Sequence, residues 1–90
     1  MTPTRLQRDD PDGLVRAFPS LQRKGCQTFA DLEAAWDACG GGWSSGERLA
    51  ALFVFHVMRR EPFDVGRAMG VWDDEHRAAF IAWARNPWMY

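Results

Sequence analysis

One stretch, Ser44 to Arg60, limits what this chain can fold into more than any other. Ser44 is followed three residues later by Glu47, the reciprocal pairing of a capping box that satisfies the orphan amides of a helix start. Arg59 and Arg60 stand at the far end, where cations favour the negative pole of a helix. Stepping about 100° per residue gathers Ala50, Ala51, Phe53, Val54, Phe55, Val57 and Met58 into an arc wider than half the circumference. Arg48, His56, Arg59 and Arg60 fill the remaining strip, together with Leu49 and Leu52. A single neighbouring helix cannot cover so wide an apolar arc. The segment therefore needs cover on several sides, from its own chain or from another.

Further helix signals flank this one. Thr28 caps a run in which Phe29, Leu32, Ala35, Trp36 and Cys39 share a stripe, with Asp31 and Glu33 in the first turn. Gly40, Gly41 and Gly42 close it, and Trp43 stands where a staple residue packs on the first turn of the central helix. Pro62 stops the central helix. Asp64 starts a short helix that Gly70 ends, and Asp73 starts another that Asn86-Pro87 stops. The expectation is an all-α bundle of about four short helices, at roughly 28–39, 45–60, 65–69 and 74–85. Residues 13–90 form its single domain, preceded by a mobile segment, 1–12, and an irregular N-terminal arm. In that arm Leu14, Val15, Phe18 and Leu21 recur without a clean period, and Pro19 forbids one continuous helix through them. A short helix from Pro19 to Lys24, closed by Gly25, is compatible with the pattern.

The segment from Val65 to Phe80 resembles a helix-turn-helix over about twenty residues. Met69, Gly70 and Val71 match the apolar, turn-glycine, apolar centre of that motif, and Gly66 takes the small-residue slot where its helices cross. The resemblance implies DNA contacts made through 65–85. Two features depart from it: His76 stands where an aliphatic is usual, and Asp73, Asp74 and Glu75 open the second helix, the end that must approach phosphates. Carboxylates there repel DNA. With a formal net charge of −1 for the whole chain, DNA binding is the disfavoured alternative.

No catalytic or metal constellation is legible. His56 and His76 lie on separate helices, no paired-ligand spacing such as Cys-x-x-Cys or His-x-x-x-His is present, and Ser44, Ser45 and Cys26 give no specific nucleophile. The Gly40–Gly42 run lacks the strand before it and the Gly-Lys-Ser/Thr after it that a phosphate loop needs. The chain is thus expected to be a non-enzyme without cofactor or metal. The N-terminus carries no secretory apolar segment and no run spans a membrane, so the expected location is the cytoplasm, with both thiols reduced and Cys39 buried. Ten Arg against one Lys, with abundant Ala, hint at a GC-rich bacterial or phage source.

Apolar surface is what the pattern leaves unexplained. Aromatics make up 13% of the residues, with five Trp, and four short helices in ninety residues have little capacity to hide them all. The expected function is accordingly protein–protein interaction, as a regulator, inhibitor or assembly subunit that binds a partner protein or its own copy. The candidate interface is Leu14, Phe18, Leu21, Arg48, Leu52, Arg59, Arg60, Ile81, Trp88, Met89 and Tyr90, residue types that include those enriched at interface centres.

Overall fold

Asp10 accepts a hydrogen bond from the Gly13 amide and so caps a helix, Pro11–Ala17 (α1), inside the expected irregular arm. The computed structural model describes residues 10–90, and the mobility expected for 1–12 falls mostly on residues outside that range. Asp12, in the first turn of α1, accepts the Phe29 amide at 2.8 Å and ties this helix to the start of a later one. Phe18 is extended, as a residue before proline must be, and Pro19 then opens α2, Pro19–Arg23. Gly25, at φ +81°, ends α2 in the left-handed conformation that glycine adopts without strain. The Cys26 amide reaches back to the Leu21 carbonyl and the Gly25 amide to that of Gln22, which is a Schellman closure.

The remaining helices are α3, Phe29–Cys39, α4, Ser45–Arg59, α5, Val65–Val71, and α6, Asp74–Ala84, with a 3-10 turn at Gly40–Gly42 between α3 and α4. Thr28 and Ser44 form the two expected capping boxes, and Asp64 and Asp73 cap α5 and α6. The architecture is all-α, with six helices rather than about four and no strand among the described residues.

The wide apolar arc of α4 is covered by the chain itself. α1 and α2 pack on it, α5 closes another side, and Phe53 is buried among Phe18, Phe63, Trp72, Phe80 and Trp83 with ring centroids 5.1–6.3 Å apart. Leu14, Val15, Phe18 and Leu21 are each 1% exposed or less. Burying four such side chains contributes on the order of 10 kcal/mol before entropy, comparable to the whole stability of a small domain. This part of the arm is therefore core.

Some local expectations change. Gly70 lies within α5 at negative φ, and the turn between α5 and α6 is made by Trp72 and Asp73, so the turn-glycine of the helix-turn-helix pattern is not a turn. Trp43 packs edge-on against Trp36 at 5.7 Å beneath Lys24, rather than serving only the start of α4. The Trp36 ring lies so close to Gly40 that a Cβ there would meet it at 2.7 Å, which explains glycine at that position. Cys39 is exposed and Cys26 buried, both as free thiols, because α3 turns its last residue outward as the chain enters the 3-10 turn.

Candidate functional site

Four residues of the expected interface are core: Leu14, Phe18, Leu21 and Trp88 are 0–3% exposed and cannot face a partner in this fold. The physical reason is that α1, α2 and the C-terminal turn fold back over α4 and α6. Arg59 is engaged as well. It pairs with Glu33 and Glu61 and lies 4.3 Å over the Phe55 ring, holding α3 to the end of α4. Arg60, left-handed at φ 57°, donates from Nε to the Tyr90 carbonyl, while the Tyr90 amide donates to the Val57 carbonyl at 2.9 Å. Arg60 and Tyr90 thus clasp the C-terminus to α4, and Met89, next to Tyr90, is half-buried. Ile81 is exposed but stands apart from the apolar residues of the groove described next. Isolated exposed apolar side chains are ordinary.

Arg48 and Leu52 are brought together. Where the chain leaves α4 at Pro62 and returns through Phe63 and Asp64 to α5, it leaves a groove of about 680 Å³ against Leu49 and Leu52. Pro62, Phe63 and Val65 complete its apolar walls, and Asp64 and Arg67 stand at its edge. The hollow continues along α4 for a further 240 Å³ or so, sharing Leu49, Leu52 and Arg67 and adding Ser45 and Arg48. Asp64 is committed to capping, accepting the Arg67 amide at 3.0 Å. The guanidinium groups of Arg48 and Arg67 make no ion pair among the described residues. The rim is therefore basic over an apolar floor. The sequence shows Arg48 and Leu52 but not Phe63, Val65 or Arg67, because only the path of residues 61–64 places these opposite α4.

A second cluster joins α2 to α6. Asp73 Oδ1 accepts the His76 amide at 3.0 Å, which starts α6, and lies 2.6 Å from His76 Nδ1. These contacts, first the bond from the His76 backbone and then that from its ring, hold the Asp73 carboxyl below the usual carboxylate range, so it accepts and Nδ1 carries the proton. His76 Nε2 is left as an acceptor. It faces Ser20 Oγ at 2.7 Å and the Ser20 amide at 3.3 Å. Phe18 cannot cap α2 with its side chain, and the His76 ring supplies that acceptor from another helix. The imidazole also stacks on Trp72, and the ring and Ser20 border a cavity of about 180 Å³. His76 thus fills the buried slot noted in the sequence, but as a hydrogen-bonded group. Ser20 went unnoticed there, since nothing local distinguishes it from other serines in a first turn.

His56 is half-buried, its Nδ1 donating to the Glu61 carbonyl at 2.7 Å. Among the described residues no group of three or more His, Cys, Asp or Glu is placed to hold a metal ion. No helix there is long and apolar enough to cross a membrane. Comparison with protein-family models, with curated proteins and with solved structures gives no match to this chain.

Proposed function

We propose that this domain works by binding a partner protein, seating a short apolar segment that also carries carboxylates in the groove between α4 and α5. The observation behind this reading is the groove itself: an apolar floor of Leu49, Leu52, Phe63 and Val65 edged by two arginines with no ion pair among the described residues. Its volume is that of a recognition site. Apolar anchors entering such a groove supply the affinity, while Arg48 and Arg67 at the rim select the charge and orientation of the segment. Nucleic acid is a poorer fit, because Asp73, Asp74 and Glu75 are exposed at the start of α6 and would meet phosphates first.

Selection of random twelve-residue peptides displayed on phage tests this reading. The intact protein is expected to enrich sequences that pair two or more large apolar residues with Asp or Glu. Leu52→Asp, at a half-buried position, is expected to enrich none of them. Failure of the intact protein to enrich any such sequence, or equal enrichment by Leu52→Asp, would overturn it.

A further inference from the structure

We propose that Ser20, His76 and Asp73 form a second site, in which the Ser20 hydroxyl is a nucleophile that hydrolyses esters of small carboxylic acids. Asp73 fixes the imidazole so that Nε2 is free to accept, and Nε2 lies 2.7 Å from Ser20 Oγ. That is the spatial order of nucleophile, base and orienting carboxylate by which such sites are recognised on unrelated folds. Capping of α2 alone requires only the contact to the Ser20 amide, and that contact is the longer of the two, at 3.3 Å. The shorter bond to the hydroxyl, with open space beside it, is what capping leaves unused.

The cavity of about 180 Å³ lies between the first turns of α2, α4 and α6, and Trp72, Val71 and Gly46 help to line it. It is smaller than the sites that hold drug-sized ligands, so it takes an acetyl-sized acyl group with its leaving group toward solvent. Ser20 is itself 2% exposed, and only a group that fits this cavity reaches it. Arg23 of α2 and Ser44, Gly46 and Glu47 at the start of α4 line the same cavity beside Ser20 and His76.

In the reaction, Ser20 Oγ bonds to the ester carbonyl carbon as its proton passes to His76 Nε2. The bond from that carbon to the alcohol oxygen breaks, and the alcohol leaves with the proton from His76. Water then attacks the acyl-serine, giving one proton to His76, which returns it to Ser20 Oγ as the carboxylic acid departs. Ester and water become acid and alcohol, with nothing oxidised or reduced. Asp73 is a positioning residue that acts through His76.

The test treats the full chain with a small alkyl fluorophosphonate and locates the adduct by peptide mass mapping, then measures turnover of p-nitrophenyl acetate and p-nitrophenyl hexanoate. One adduct is expected, on Ser20, absent when the protein is first denatured in urea. Acetate turnover is expected to exceed hexanoate turnover and to fall by about 100-fold or more in Ser20→Ala, a variant whose amide keeps its bond to His76. Asp73→Asn retains a good helix cap but loses the charge, so a loss in kcat with little change in KM, and a urea midpoint at neutral pH only modestly below that of the intact protein, is expected of it. No adduct at Ser20, or acetate turnover in Ser20→Ala equal to that of the intact protein, would overturn the proposal.

Discussion

His76 Nε2 lies 2.7 Å from Ser20 Oγ although 56 positions separate the two residues in sequence, and this bond joins α6 to the start of α2. Both residues are buried, at 4% and 2% exposure. Removing the imidazole deprives the Ser20 amide and hydroxyl of the acceptor they face in the folded state. A buried polar group left unpaired costs about 1–3 kcal/mol. His76→Phe, which keeps a ring against Trp72 and Phe18 but accepts nothing, is expected to lower stability by about that amount in urea unfolding, and His76→Gln by less.

Phe53 is the hub of the aromatic core, and Trp88 is buried with an indole N–H that has no partner among the described residues. Phe53→Ala is expected to cost about 3–5 kcal/mol, enough to bring a domain of this size close to its unfolding midpoint. Trp88→Phe behaves differently, because lost apolar area is offset by relief of the orphan donor. Its expected urea midpoint is near that of the parent, whereas Trp88→Ala falls clearly below it.

How far the sequence discloses this fold depends on whether a signal is local. Thr28, Ser44, Asp64 and Asp73 cap the helices expected of them, since a cap and the amides it satisfies are at most three residues apart. α1 escapes that reading because Asp10 caps it from inside a run of prolines and charges, and because Leu14, Val15, Phe18 and Leu21 are divided between two helices by Pro19. Each half is too short to show a period of its own. The bonds from Ser20 to His76 and from Arg60 to Tyr90, and the opposition of Phe63 to Leu49, are set by the return path of the chain. The candidate site is legible only at Arg48 and Leu52 for the same reason.

Asp31, Glu47 and Asp73 are each held below the usual carboxylate range, first by a backbone amide: that of Gln27 for Asp31, of Ser44 for Glu47 and of His76 for Asp73. With these groups depressed in the folded state, the unfolded chain binds protons more readily. Their contribution to stability is then complete above the ordinary carboxylate value of about 4 and is lost as pH falls through the lower folded values. The urea midpoint is expected to drop between about pH 4 and pH 2. In Asp73→Asn that drop is expected to be smaller, since a neutral cap has no charge to lose.

The two thiols differ in access. Cys39 is exposed at the end of α3, whereas Cys26 is buried and its thiol is pushed up, first by burial and then by the Asp31 charge. One equivalent of an aromatic disulfide reagent is expected to react quickly at neutral pH, and the second only when urea unfolds the chain. Cys39→Ser is expected to remove the fast phase alone.

In the proposed function an apolar floor acts together with arginines at the rim of the α4–α5 groove that make no ion pair among the described residues. Peptide selection repeated on the double variant Arg48→Glu, Arg67→Glu tests that pairing directly, since both positions are exposed and their reversal leaves the core intact. The expected result is that the enriched peptides keep their apolar residues but exchange Asp and Glu for Lys and Arg. Enrichment of the same acidic peptides by the double variant and the parent would contradict the account.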